Sequence, residues 1–205
     1  MANIKEIQCI RTRSNGTWVI VKVITDQPGL YGIGSASDQY HAETVITAVE
    51  QGVGPKLIGR NAGHIEDNWQ SAFTSGYWRN GSILNTALAG IDMALWDIYG
   101  KQTNKPIYEL LGGLVNNKLR SYTYLYPKKS DKVNIYEDAD LSAERASEYI
   151  EKGFTAVKFD PVGSYSPLDP RQISLEELIK IENIVKTIHD SVNKKSDILI
   201  GTHGQ

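Results

Sequence analysis

The run ILNTALAGIDMALWDIYGKQTNKPIYELLGG, from Ile83 to Gly113, restricts the folds open to this chain more than any other stretch. Leu84, Leu88, Ile91, Leu95 and Ile98 recur at steps of four, three, four and three, with Ala87 and Ala94 widening the stripe. That is the period of an amphipathic α-helix with one buried side. Gly100 and Pro106 mark where the helix is expected to stop. Such a helix needs an apolar surface to lie on, and the residues before it supply one.

Upstream, Ile4–Arg13, Thr17–Thr25 and Leu30–Ala36 are short apolar-alternating runs separated by Ser14-Asn15-Gly16 and Gln27-Pro28-Gly29, both favourable turn sequences. They read as a three-stranded antiparallel meander. In WVIVKVIT, Trp18 and Ile20, then Val21 and Val23 set against Lys22, indicate that one face is the better buried. Helical spacing follows over His41–Gln51, closed by Gly52, and over His64–Thr74, closed by Gly76, before the organising helix from about Asn85 to Gly100. Strands first and helices second predict an α+β domain over residues 1–115.

After Gly113 the pattern changes. Lys118–Tyr126 reads as a strand, Leu141–Lys152 as a helix ended by Gly153, Phe154–Asp160 as a strand, Ser174–Val192 as a long helix and Asp197–Thr202 as a third strand. Ser174 with Glu177 three residues on forms a capping box. The order βαβαβ over residues 116–205 implies parallel strands with right-handed crossovers, the opening of either a doubly wound sheet or a β/α barrel.

Charge and composition exclude several functional classes. A formal charge of −2 and 22% charged residues offer no basic excess for nucleic acid or an anionic membrane. No apolar run approaches the roughly 20 residues that span a bilayer. The lone Cys9 has no internal disulfide partner, and MANIKEIQ lacks the apolar run of a signal peptide, so a cytoplasmic location is expected. A phosphate-cradling protein is disfavoured because GLYGIGSAS does not place its glycines between a strand and a helix.

NTALAGIDMALWDIYGK followed by KPIYELLGG resembles the segment that joins capping domain to barrel in the mandelate racemase/muconate lactonizing enzyme group of the enolase superfamily, particularly its acid-sugar dehydratases. The resemblance extends over essentially the whole chain. It implies an α+β capping domain over 1–115 and the first β/α units of a TIM-type barrel over 116–205. A complete barrel takes about 250 residues, so three strands imply a chain that stops within the barrel. The implied parent activity is Mg²⁺-dependent dehydration of a sugar acid by removal of the proton α to its carboxylate, with racemisation or cycloisomerisation as the alternative, since the same enediolate serves all three. The chain alone is expected to be inactive, and a non-catalytic binding or assembly module is the rival reading.

Functional residues of β/α folds gather at the carboxyl ends of parallel strands. This singles out Tyr124 and Tyr126, then Lys158 and Asp160, then Thr202 and His203. A spacing of two places Lys158 and Asp160 on one face of their strand, where a lysine beside a carboxylate is suited to proton transfer. By resemblance, GFTAVKFDPVG is the second barrel strand, which often carries Lys-x-Lys; Lys158 matches the first lysine, and Asp160 stands where the second, a base, would be. ILIGTHGQ resembles the third strand of galactonate-type dehydratases, in which His203 matches a proton-handling histidine and Gly201 occupies the place of a magnesium-ligating aspartate. Mg²⁺ is thus implied for the family, while no metal ligand is assigned here and none is expected to bind this chain. The loop holding Tyr77, Trp78 and Arg79 resembles the capping loop that closes over acid sugars, where an Arg can hold a carboxylate with two bonds; Trp78, Arg79 and Tyr124 are the substrate-binding candidates. The other usual lid segment, Arg11–Thr17, is too generic to assign. The implied partners are an acid-sugar carboxylate and either a second copy or a polypeptide completing the barrel.

Overall fold

A computed structural model describes residues 2–13, 16–79, 81–162 and 172–202. The chain divides into two compact units, Met1–Val115 and Asn116–Gln205. Among the described residues no helix is long and apolar enough to cross a membrane.

In the first unit β1 (Ile4–Arg13), β2 (Thr17–Thr25) and β3 (Tyr31–Ser35) form an antiparallel sheet in sequence order. Cys9 lies opposite Val21, and Lys22 opposite Ile33. The β2–β3 link is a tight turn in which Leu30 N–H donates to Gln27 O at 3.1 Å. Gly29 takes φ +79° at its third position, the left-handed backbone such a turn demands. Ser14 and Asn15 of the other expected turn lie outside the described residues.

The buried face is the one that Val21 and Val23 mark, not the one that Trp18 and Ile20 suggest. Val19, Val21 and Val23 are fully buried, whereas Trp18 is half exposed. Counting from Trp18 starts the alternation one residue out of phase, and in a strand one residue changes the face.

Helices α1 (Ala42–Thr47) and α3 (Ser82–Thr103) pack on the valine face, and α2 (Ile65–Phe73) joins the same core against α3. The first helix does not end at Gly52: α1 runs on through a π-helical segment, Ala48–Val53, and a 3₁₀ turn, Gly54–Lys56. In α3, Leu88, Ile91, Leu95 and Ile98 are buried, but Leu84 is 40% exposed, so the working stripe begins at Ala87. Nor does α3 end at Gly100. It reaches Thr103 and closes at Asn104, whose left-handed φ of +51° lets Lys105 N–H donate to Gly100 O and Asn104 N–H to Lys101 O, the paired bonds of a Schellman cap. A short α4 (Ile107–Leu110) follows Pro106.

Close approach of α3 to the sheet depends on glycine. A Cβ at Gly32 would lie 1.9 Å from Ala94 O, and one at Gly34 would lie 2.1 Å from Gly90 O. The glycines of GLYGIGSAS therefore serve helix-on-sheet packing.

The second unit carries β4 (Thr123–Tyr124), α5 (Ala139–Glu151), β5 (Ala156–Phe159), α6 (Leu175–Val192) and β6 (Asp197–Ile200). Its strands are parallel in the order β4-β5-β6. Val157 and Phe159 of β5 are fully buried with Ala146 of α5 and Ile184 and Ile188 of α6, so both helices pack on the same face of the sheet. This is the β/α arrangement of a barrel's opening units. Each helix start is capped: Asp138 accepts from Leu141 N–H at 2.8 Å, and Ser174 accepts from Glu177 N–H at 3.2 Å. The carboxylate of Glu177 bonds Lys180 at 2.9 Å rather than serving as the return arm of a capping box.

β4 is far shorter than the run Lys118–Tyr126. Its start is held by side chains instead. Arg120 donates from Nε to Thr155 Oγ1 at 2.8 Å and from Nη1 to Asp197 Oδ2 at 2.6 Å, tying together the amino ends of all three strands.

Candidate functional site

Strand register brings three of the expected positions to one face. Tyr124 pairs with Lys158 across β4–β5, and Lys158 pairs with Leu199 across β5–β6. With Val157 and Phe159 committed to the helix side, Lys158 falls on the opposite face, and Asp160, just past the strand end, follows it by the period of two. No salt bridge joins Lys158 to Asp160 among the described residues. The lysine ammonium lies 5.9 Å from the centre of the Tyr122 ring, while Asp160 Oδ1 accepts from Val162 N–H at 3.2 Å.

Tyr124 sits among aromatic rings: Tyr126 at 5.7 Å and Tyr136 at 6.2 Å between centroids. Burial pushes its hydroxyl up to about 12, and the negative charge of Asp160 adds to the shift. The phenol therefore stays protonated at neutral pH and is a hydrogen-bond donor there. Tyr136, raised in the same direction chiefly by burial, completes the aromatic wall and packs on Phe159 at 5.9 Å. Sequence reasoning misses it because 127–138 is polar and aperiodic; the signal on offer is the apolar pair Ile135-Tyr136 within that run.

Buried Arg145 of α5 holds the β4–α5 loop. Its Nη2 donates to both carboxylate oxygens of Asp131, at 2.9 and 3.2 Å, and its Nη1 donates to Tyr126 O. Asp131 also accepts from Lys128 N–H at 2.6 Å, and that bond, ahead of the guanidinium, holds its carboxyl below the usual range. The carboxyl of Glu148 is likewise depressed, first by its hydrogen bond from Lys128 Nζ.

The remaining candidates lie elsewhere. Tyr77 and Trp78 are 95% and 91% exposed in the link between α2 and α3, and Arg79 Nε donates to Gly76 O at 3.0 Å within that link. His203 lies outside the described residues. A cleft of about 630 Å³ in the first unit is lined by Ile20, Ile33, Met93, Trp96, Ile107 and Leu111, with Asp97 already engaged by Ile33 N–H and Lys101. It offers apolar walls and shares no residue with the strand-end cluster.

The donor set does not suit a magnesium ion. Mg²⁺ takes carboxylate and water oxygens in octahedral array, and Gly201 has no side-chain oxygen to give. A Cβ built at Gly201 would stand 3.3 Å from Lys158 Cε and 4.0 Å from Nζ, so an ammonium lies where a ligand side chain would project. Among the described residues no group of three or more His, Cys, Asp or Glu could hold a metal ion.

Residues 5–112 match the family model of the mandelate racemase/muconate lactonizing enzyme N-terminal domain. The chain belongs to that family. A D-galactonate dehydratase family member of Paenibacillus sp. (strain JDR-2) is 50% identical over 165 residues, covering 80% of this chain and 38% of that protein. The family member RspA of Pantoea ananatis is 43% identical over 148 residues, 72% of this chain and 35% of the relative. Among solved structures, a mandelate racemase/muconate lactonizing enzyme-like protein from Roseovarius sp. TM1035 superposes with a TM-score of 0.89 at 31% identity, over 99% of this chain and 53% of that one. An enolase from Pantoea ananatis with bound D-gluconate and Mg superposes with a TM-score of 0.81 at 28% identity, over 98% of this chain and 53% of that one. The chain thus spans about half the length of these solved structures and less of the curated relatives. The fold is that of the enolase superfamily, a capping domain followed by barrel-type β/α units.

Proposed function

We propose that this chain supplies the capping domain and opening barrel units of a sugar-acid dehydratase. The observation that carries the reading is its 50% identity over 165 residues to a D-galactonate dehydratase family member. In such a reaction the C–H bond α to the carboxylate breaks and its proton passes to a base. The β C–O bond then breaks, the hydroxyl departs with a proton as water, and the resulting enol rearranges to a 2-oxo acid. Charge accumulates on the carboxylate as the enediolate forms, so the residues that meet it must be cationic or hydrogen-bond donors.

Within this chain Lys158 and Tyr124 fit the carboxylate, at the strand ends where barrel enzymes bind their substrates. Asp160, beside Tyr124, and His203 are assigned to proton movement, and Trp78 and Arg79 to the loop that covers the ligand. The relatives' additional length accommodates further strands with their own side chains, so turnover is assigned to the full-length architecture of those relatives and not to these residues alone.

The test is 2-oxo acid formation from a panel of hexonates and hexarates. The chain alone should give none, and mixing it with the remaining portion of the Paenibacillus relative should generate turnover. Silence in both arms would count against the dehydratase reading. Turnover by the chain alone, lost in His203→Ala, would instead make it a self-sufficient enzyme with His203 catalytic.

A further inference from the structure

The antiparallel meander of the first unit is apolar on both faces, and α1 and α3 pack on only one of them. Opposite the valine face, the register places Ile10 of β1, Trp18, Ile20 and Ile24 of β2, and Tyr31 and Ile33 of β3 on one surface. Ile10, Trp18, Tyr31 and Ile33 are 42–50% exposed. An antiparallel sheet with one face on a core ordinarily turns polar residues to water on the other. A contiguous exposed apolar surface of this kind marks an interaction site. The apolar cleft of the first unit continues it, sharing Ile20 and Ile33.

The edges of the sheet are less open than the face. Glu50 Oε1 accepts from Cys9 N–H on the outer side of β1 at 2.7 Å, and Asp97 Oδ2 accepts from Ile33 N–H on the outer side of β3 at 2.9 Å. A strand adding at either edge would have to displace a carboxylate from a backbone donor. A partner is therefore met by the face.

Charge selects the partner. In the paired register this face carries one anion, Glu6 on β1, and one cation, Lys22 on β2. Neither makes an ion pair among the described residues, and the Lys22 ammonium lies 4.5 Å from the centre of the Tyr31 ring. A surface with one charge of each sign gives a polyanion nothing to grip and is complementary to itself. A two-fold axis lying in the face, midway between the two residues, sets each Lys22 against Glu6 of the other copy.

We infer that the outer face of the β1–β3 meander pairs with the same face of a second copy of this chain, sheet against sheet at about 10 Å, with reciprocal Lys22–Glu6 contacts across the axis. The surface lies wholly within the first unit and uses none of the strand-end residues. It is independent of the dehydratase reading.

The test mixes isotope-labelled and unlabelled full-length copies of the chain, treats them with a carbodiimide, which joins an amine to a carboxylate in contact with it, and identifies the linked peptides by mass spectrometry. Peptides of mixed label joining Lys22 to Glu6 are expected. Sedimentation velocity supplies the affinity. Lys22→Glu and Glu6→Lys, each alone, should weaken pairing by about 10-fold or more, because like charges then face each other at both contacts, whereas the chain carrying both reversals should pair within a few fold of the parent. Thermal unfolding curves that match the parent separate loss of the interface from loss of the fold.

Absence of mixed-label Lys22–Glu6 peptides, or an affinity unmoved by either single reversal, would overturn the inference, even if copies associate through β6. Single reversals that weaken pairing without recovery in the double reversal would overturn it as well. Loss of the mixed-label link on adding the remaining portion of the Paenibacillus relative would give the face to that polypeptide and overturn the second copy as its occupant. None of these results touches 2-oxo acid formation, so the dehydratase reading is decided separately.

Discussion

Single residues in this chain answer to close contacts more than to local preference. Gly32 and Gly34 sit in a strand, where glycine is unfavourable, because α3 lies against their backbone. Gly32→Ala should therefore destabilise the first unit by about 3 kcal/mol, the upper end of overpacking costs. Denaturant unfolding that shows less than 1 kcal/mol, a threshold of about one ordinary substitution, would mean that α3 slides away at little cost. Arg145 makes the complementary case in the second unit. With 3% of its side chain exposed, it bonds Asp131, itself 8% exposed. Both Asp131 and Glu148 have carboxyls depressed in the folded state. A depressed carboxyl stabilises fully above its unfolded pKa, about 4 for Asp and Glu, and loses that contribution as pH falls through the folded value. The second unit should accordingly lose stability in acid below about pH 4. Arg145→Met should destabilise it at neutral pH and weaken that acid dependence in part, since the Lys128 bonds to both carboxyls remain, which thermal unfolding from pH 3 to 7 would reveal; an unaltered profile would place the acid sensitivity with Lys128 alone.

At the scale of elements, ends are set by caps, and the caps were only partly visible in the sequence. Ser174 is legible as an N-cap because a short polar oxygen acceptor precedes an apolar-periodic run, whereas Asp138 goes unread because that helix is expected to start only at Leu141. Asp138→Ala should cost about 1 kcal/mol and speed amide exchange at Leu141, whose N–H it accepts; exchange that does not change would show the helix start held by tertiary packing instead. The α3 terminus was less legible, since Gly100 looks like a stop yet lies inside the helix, with the left-handed position falling to Asn104. Asparagine tolerates that conformation almost as glycine does. The strand positions of β2 and β3 could be read from alternation and the turn at Gly29, whereas β4 shrank to two residues because Arg120, not a ladder, secures its amino end. The site divides in the same way. Tyr124 and Lys158 follow from the rule that function gathers at strand carboxyl ends. Tyr136 and the Arg145 clamp arise from a loop whose shape is fixed by contacts distant in sequence, and no local pattern records those.

For the molecule as a whole, the side of β6 turned away from β5 bears on the behaviour of these residues in solution. Asp197 and Gly201 donate their N–H groups to Thr155 O and Phe159 O of the β5 segment, at 2.9 and 3.0 Å. Strand alternation therefore turns the N–H groups of Ile198 and Ile200 away from β5, to a side of β6 that carries no strand among the described residues. Ile200 is 50% exposed, and on the neighbouring helix Leu175 and Ile179 are 73% and 59% exposed. Unpaired strand edges flanked by apolar side chains add further strands. The chain should therefore self-associate through Asp197–Ile200 and the inner faces of β4 and β5, or take up a polypeptide that extends the sheet. Sedimentation velocity across a range of concentrations should show mass rising with concentration, while hydrogen exchange at Ile198 and Ile200 slows in step with it. Those two amides distinguish edge pairing from loose apolar aggregation, which would raise the mass and leave both exchanging freely. A monodisperse monomer in which Ile198 and Ile200 are strongly protected would sink the prediction, because their hydrogen-bond partners would then have to lie within the same chain.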